Sequence, residues 1–450
     1  MKIKVNFENI QGKVKPMHAI GQPPLSGIST EHFHYLTEAN IPYSRLHDVA
    51  YWFGGNMFVD IPNIFRDFDA DETKEENYDF TFTDILIKGL IDSGCQPYFR
   101  LGVTIENFHY IKAYRIFPPK DFSKWARICE HIIRHYNEGW ADGFCYDIKY
   151  WEIWNEPDNN GPEIKDNGMW KGTKEQFYEL YSVTAKHLKA CFGDSIKVGG
   201  YASCGFTYVL TEPEKYALDV RKIPKDDPWI NQHGVYYIQF FEEFLEYIHK
   251  EKAPIDFFSW HGYVTDPEWM VDTCKYVDKK LAEYGLSNIE SHVNEWSVCP
   301  TTKYRGTIYA AAGCAATMCA MHNTSTDMMC IYDGRMESGT YAAMFNGETK
   351  KPLPLYFSLK AFGELYTLGS WVKPDIDGDG IYAQAATDGD RKALLLVNNN
   401  NAEVKITTNL EKDMKAYLID EESKLDPIEL DVNDFMLKPK NVILFRNYGD

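Results

Sequence analysis

From about Ile20 to Leu368, short apolar runs alternate with segments of helical period, the pattern of a parallel sheet built from strand–helix units. Eight runs read as strands: residues 18–21, 42–49, 96–103, 148–156, 196–202, 255–263, 289–296 and 327–334. Eight strands close a (β/α)8 barrel, here expected over residues 16–368. The helices between them carry clear signals. In residues 121–136, Phe122, Trp125, Ile128, Cys129, Ile132, Ile133 and Tyr136 recur at threes and fours and make one apolar stripe. Thr83 and Asp84 open a second helix that Gly94 ends, and Thr173 opens a third that Gly193 ends.

After Gly369 the pattern changes to short alternating segments separated by polar turns, which predicts a small antiparallel β-domain. The N-terminal run MKIKVNFENI adds a strand to it, so residues 1–15 join residues 369–450. At this boundary Asp375, Asp377 and Asp379 copy the first half of a calcium loop, but the twelfth position is Ala386 and no helix follows. A tight turn is the reading.

Composition narrows the function. A net charge of -19 repels phosphate backbones and anionic lipid, so neither nucleic acid nor a membrane is expected as partner. The 30 Tyr, 26 Phe and 11 Trp exceed what a core needs and suit a cleft that stacks on sugar rings. The 10 Cys include no Cys-x-x-Cys pair and no His partner at zinc spacing, so no metal or other cofactor is expected. Most fall in apolar segments, which fits a reducing compartment. With no apolar h-region at the N-terminus and no run of about 18 apolar residues, the expectation is a cytoplasmic protein without a membrane span. The oligomeric state is open, a homo-oligomer included.

In such a barrel the chemistry sits where strands give way to the loops that follow them. The fourth run ends WEIWNEP. Pro157 lacks an N–H and cannot extend a ladder, so the strand stops and leaves Asn155 and Glu156 at the rim. The seventh run ends in the same way, on Asn294, Glu295 and Trp296. A single Glu is ordinarily a solvated loop acid. Two Glu at the same end of strands four and seven, each beside Asn and Trp, are another matter. Two acids across one cleft cannot both ionise freely, so one is pushed up and the other stays low. That split supplies a proton donor and a carboxylate nucleophile, the equipment for cleaving a glycosidic bond with retention.

These motifs resemble the clan A glycoside hydrolases and, within the clan, are most similar to family 39, the family of β-xylosidases and α-L-iduronidase. YSRLHDV, ENYDFTFTDILIKGLIDSGCQPYFRLG, WEIWNEPD, IKVGGYA, IDFFSWHGY and VNEWSV follow in the family's order. The resemblance implies a barrel completed by a β-sandwich, with Glu156 as general acid/base and Glu295 as nucleophile. It implies that Asn155 binds the sugar 2-hydroxyl, that His47 and His261 line the innermost subsite, and that Tyr263 donates to Glu295 and keeps it ionised. Arg45 either serves the same electrostatic purpose or forms a core ion pair. Trp52, Phe53, Trp154 and Trp296 either stack on sugar or pack.

The sequence also departs from the family. Where family xylosidases carry a Trp and an acidic pair on strand eight, this chain has Cys330, Tyr332, Asp333, Arg335 and Glu337. Asp333 stands for one acid. Arg335 brings a cation that either pairs with a uronic-acid carboxylate or neutralises Asp333 or Glu337. Arg100 stands where a Glu is common. The leading expectation is a retaining, β-xylosidase-like glycosidase that releases terminal sugars from β-linked oligosaccharides through a covalent glycosyl-enzyme. The alternatives are a uronide, arabinoside, glucoside or galactoside as substrate, or a non-catalytic carbohydrate-binding protein. A metal-dependent hydrolase has against it the lack of His-x-His and His-Glu-x-x-His sets.

Overall fold

A computed structural model describes residues 1–49, 57–105, 115–225, 230, 233–298, 302–336, 341 and 343–449. Its eight parallel strands are β1 (Ala19–Gly21), β2 (Tyr43–Leu46), β3 (Gln96–Leu101), β4 (Tyr150–Ile153), β5 (Lys197–Ser203), β6 (Phe257–Tyr263), β7 (Glu290–Ser297) and β8 (Met328–Tyr332). They pair in sequence order, and β8 pairs with β1 to close the barrel. Alternation along each strand sorts its residues into inward and outward sets. One interior layer is apolar: Ala19, Tyr98, Tyr150, Phe257, Met328 and Cys330, with the Tyr98 and Tyr150 rings stacked at 5.3 Å. Two residues further along β2, β4 and β6 the inward positions are Arg45, Glu152 and Ser259. A charged layer therefore rests on an aromatic floor, below the mouth where the candidate chemistry lies.

Two of the three helices follow their signals, whereas the second starts at Thr81, ahead of Thr83 and Asp84, with no side chain capping it because the Thr83 hydroxyl donates to Phe58 O. Helix Phe122–Glu138 buries Trp125, Ile128, Cys129, Ile132, Ile133 and Tyr136; Asp121 caps its N-terminus by accepting from Lys124 N at 2.9 Å, and Gly139 ends it at φ 75. Thr173 and Gln176 form a reciprocal capping box at the start of helix Lys174–Phe192. In helix Ile308–His322 every residue but Tyr309 is buried, because it lies between the barrel and the sheet that contains Ile381–Thr387 and Lys392–Asn398. Gln384 Nε2 ties that sheet to the helix by donating to Cys319 O at 2.8 Å.

Beyond the barrel, a seven-stranded and a four-stranded sheet enclose a second core that includes Ile3, Leu394, Leu396, Ile406, Phe435 and Phe445. This is the β-sandwich. The N-terminal segment contributes to both sheets: Lys2–Lys4 pairs with Asp375–Ile376 and Val404–Thr408, and Ile10–Lys13 pairs with Ser370–Val372. Among the described residues, no helix is long and apolar enough to cross a membrane.

Several strands are shorter than the sequence reading, β2 ending at Leu46, β3 at Leu101 and β8 at Tyr332, and one such end bears on the site. β4 ends at Ile153, before Asn155-Glu156-Pro157, because Trp154 already has φ 71 and Glu156 has φ 42. Left-handed backbone at two non-glycine residues costs of order 1–3 kcal/mol each and persists where surrounding contacts impose it. Here Trp154 N donates to Leu101 O at 2.8 Å and Glu156 N to Ala202 O at 3.0 Å, so β3 and β5 hold the turn from both sides.

Candidate active site

The opposite wall is shaped by a bulge. Trp260 is opposite Val293, but His261 is opposite Glu295, so Asn294 is an extra residue on β7. The phase shift turns both Asn294 and Glu295 towards polar partners. Asn294 Nδ2 donates to Glu152 Oε1, while Glu295 Oε1 accepts from the Tyr263 hydroxyl and Glu295 Oε2 accepts from Arg45 Nη1 at 3.2 Å.

Arg45 is the hub. Its guanidinium also donates to Glu152 Oε2 at 2.8 Å and to Asn155 Oδ1 at 2.5 Å, and Ser259 donates to Glu152 Oε1 at 2.6 Å. Burial pulls the Arg45 pKa down, but Glu152 and Glu295 outweigh it and keep the group charged. Of the two roles the sequence leaves open for Arg45, the geometry contains both: an ion pair with Glu152 and a contact with Glu295. Removing one partner of a buried ion pair costs about 3–5 kcal/mol because the other charge is stranded. Arg45→Met is therefore expected to lose about that much stability in urea unfolding; a loss below about 1 kcal/mol would mean the network is solvated.

Glu156 and Glu295 face each other across the mouth with His261 between them. His261 Nδ1 is 2.6 Å from Glu156 Oε1, and His261 Nε2 is 3.7 Å from Glu295 Oε2. One oxygen of each Glu and one ring nitrogen of His261 all lie within 4.8 Å of one another. The Glu156 side chain keeps 13% of its surface exposed and Glu295 9%, enough to meet a ligand and little enough to be desolvated.

Burial raises both carboxyls above the usual range. The sequence expectation of one high and one low is not what burial alone produces; their partners differ instead. Asn159 Nδ2 donates to Glu156 Oε2 at 2.8 Å and favours its anion, with Arg45 a further influence in that direction. Glu295 has the Arg45 cation in contact and the Tyr263 hydroxyl as donor, against the repulsion of Glu156. Burial lowers His261 to about 4, so near neutral pH its ring is uncharged. When Glu156 is protonated it donates to His261 Nδ1, which leaves the ring N–H on Nε2, on the side of Glu295.

The other sequence candidates divide. His47 is buried, its Nε2 3.2 Å from Asp48 Oδ1, and burial holds its pKa well below the ordinary value. Asp333 and Arg335 pair with each other, Nε and Nη2 of the guanidinium both donating to Asp333 Oδ2 at 3.0 and 2.6 Å. Of the two roles open to Arg335, this geometry is neutralisation of Asp333. Arg100 bonds Asp60 Oδ1 at 2.7 Å. One aromatic expectation needs correction, that Trp296 binds substrate, because its ring is fully buried on the outward face of β7; of the two roles open to Trp154 the geometry is packing, its Nε1 donating to Met169 O at 2.9 Å and its ring edge-on to Trp170. Trp52, Phe53 and Glu337 lie outside the described residues.

The sequence reading missed Glu152, Asn159, Asp158 and Ser259, and it named Asn294 without giving it a partner. Glu152 had a signal: a Glu at an inward position of a strand otherwise made of Tyr, Trp and Ile needs a buried cation, and Arg45 sits at the matching level of β2. Asp158, fully buried, accepts from Ser203 Oγ at 2.7 Å, and burial lifts its pKa to about 7. Between the unfolded value near 4 and about 7, the folded chain keeps a proton that the unfolded chain has released, so stability falls as pH rises through that window. Asp158→Asn removes this dependence. Its melting temperature relative to the parent chain is expected to rise between about pH 5 and about pH 8; a difference independent of pH would contradict the assignment.

The model of glycosyl hydrolases family 39 matches residues 1–296. The chain belongs to that family. Two curated relatives are β-xylosidases: that of Geobacillus stearothermophilus, 24% identical over 247 residues (53% of this chain, 39% of the relative), and that of Caldicellulosiruptor saccharolyticus, 26% identical over 283 residues (59% and 47%). The chain thus spans less than half the length of each. Among solved structures, a glucosidase from Croceicoccus marinus aligns with a TM-score of 0.76 at 19% identity, covering 99% of this chain and 98% of that one. The bifunctional glucanase-xylanase CelM2 from a metagenome library aligns with a TM-score of 0.62 at 13% identity, covering 99% and 98%. At these identities the structural likenesses speak for the fold. The family 39 match takes in β1 to β6 and reaches through Glu295 and Trp296 on β7, so both candidate acids lie within it.

Proposed function

We propose that this chain is a retaining β-glycosidase that removes terminal sugars, β-xylosidase-like, with Glu156 as general acid/base and Glu295 as nucleophile. The observation that carries the reading is the approach of the two carboxyls to within 4.8 Å around His261. Retaining enzymes hold their carboxyls about 5–5.5 Å apart, whereas inverting ones leave about 6.5–9.5 Å for a water. Glu295, steadied by Arg45 and Tyr263, attacks the anomeric carbon while Glu156 protonates the departing oxygen. Glu156 then takes the proton from the water that releases the sugar. Asn155 Nδ2 is a buried donor without a partner among the described residues, and a sugar 2-hydroxyl would satisfy it.

The names of the two relatives support xylose, and the Asp333–Arg335 pair makes a uronide the weaker alternative because the guanidinium is already engaged. A panel of aryl β-xylosides, glucosides, galactosides, arabinosides and glucuronides, with NMR of the first anomer released, tests the reading. The expected product is the β-anomer from a xyloside; the α-anomer would exclude retention, and no turnover of any aryl glycoside would leave a sugar-binding protein. A second reading, metal-assisted hydrolysis, draws on the same Glu156, His261 and Glu295 donors. Activity that survives chelator dismisses it.

A further inference from the structure

On the outer surface of the barrel, away from the mouth, helices Phe122–Glu138 and Lys174–Phe192 bring together three side chains of metal-ligating type. The geometry points to a binding site for zinc, or another thiophilic divalent cation, formed by Glu130, His187 and Cys191. His187 and Cys191 are four residues apart on one helix and so share a face. Glu130 projects from the neighbouring helix. Glu130 Oε2 is 2.6 Å from His187 Nε2, Cys191 Sγ is 3.8 Å from the same nitrogen, and one donor atom of each residue lies within 4.8 Å of the others.

Zinc takes oxygen and nitrogen at about 2.0–2.2 Å and sulfur at about 2.3 Å, which in a tetrahedral site sets the ligand atoms roughly 3.3–3.8 Å apart. The Cys191–His187 separation already fits. The Glu130–His187 hydrogen bond must open by about 1 Å as each partner exchanges it for a bond to the metal. All three residues are half-buried, which leaves the fourth position to water. The charges balance: the Glu130 carboxylate and a Cys191 thiolate neutralise a divalent ion. Burial opposes ionisation of Glu130, but its hydrogen bonds with Arg134 and His187 keep its pKa below the usual range. Arg134 holds the other oxygen, with Nε 2.8 Å from Glu130 Oε1, and also pairs with Glu138, so it orients the carboxylate and its own charge is met. Burial and Glu130 raise the Cys191 thiol, so uptake of the metal releases its proton and strengthens with rising pH. The thiolate selects zinc over calcium or magnesium. The sequence expectation of no metal passed over this site because it holds a single Cys, four residues from His187, and its third ligand comes from another helix.

Bound metal would clamp two helices that otherwise meet through side-chain packing and the Glu130–His187 hydrogen bond, raising stability by mass action. The test is a titration of the full chain with cobalt(II), read by the sulfur-to-cobalt charge-transfer band and by melting temperature, then repeated with zinc as competitor. The expected result is one equivalent bound, a band that zinc abolishes, and a rise in melting temperature. Cys191→Ser should lose the band and the rise, His187→Gln should lose the rise, and Cys145→Ser, at the exposed cysteine, should keep both. At the mouth the grouped donors Glu156, His261 and Glu295 carry no sulfur, but Cys204 Sγ lies against Glu156 and Asn159, so Cys204→Ser should also keep the band and the rise. A band that survives in Cys191→Ser, or none in the parent chain, would overturn the site.

Discussion

Glu295→Ala is expected to abolish turnover of every glycoside, activated or not. Without the carboxylate no covalent intermediate forms, and the Tyr263 hydroxyl and Arg45 guanidinium that face Glu295 have nothing to steady. Loss of a nucleophile costs at least about four orders of magnitude in kcat/KM, some 5 kcal/mol of transition-state stabilisation. The fold should survive, because Arg45 keeps its bonds to Glu152 and Asn155. Circular dichroism and the melting temperature separate lost chemistry from lost structure. A variant that retains more than about one per cent of kcat/KM while folded would remove Glu295 from the reaction.

Glu156→Ala should behave differently. A general acid contributes about 10²–10⁴-fold where the leaving group needs a proton and little where it does not. The variant is expected to hydrolyse an unactivated disaccharide hundreds of times more slowly yet hold its kcat/KM for a dinitrophenyl glycoside. With that substrate kcat should fall, because the second step lacks its base, and KM should fall with it as the glycosyl-enzyme accumulates. Equal losses of kcat/KM on both substrates would mean that Glu156 acts by some means other than proton donation.

Much of the fold was legible. Eight apolar runs separated by helical stripes specify a parallel barrel, and Thr173 and Gly193 mark the two ends of one helix by local hydrogen bonding that needs no tertiary context. The two Asn-Glu endings were legible because Pro157 and the repeated motif punctuate them. The rest depends on closure of the ring. The alternation along β7 holds only as far as Val293; the extra residue Asn294 shifts the phase, and nothing local in SHVNEWS announces a bulge. Trp296 for that reason looked like part of the cleft and is buried outside it. Glu152 is a buried acid whose meaning comes from Arg45 across the barrel, more than a hundred positions away in sequence. The end of β4 at Ile153 follows from left-handed backbone at Trp154 and Glu156, imposed by carbonyls on β3 and β5.

Azide rescue of the two alanine variants, with the anomeric configuration of each glycosyl azide read by NMR, tests the opposed carboxyls most directly. In Glu295→Ala, azide enters from the vacated nucleophile face and gives the inverted α-azide; in Glu156→Ala it attacks the glycosyl-enzyme from the other face and gives the β-azide. Opposite anomers from the two variants are the predicted result. The same anomer from both, or equal rescue by azide without a change of configuration, would contradict it.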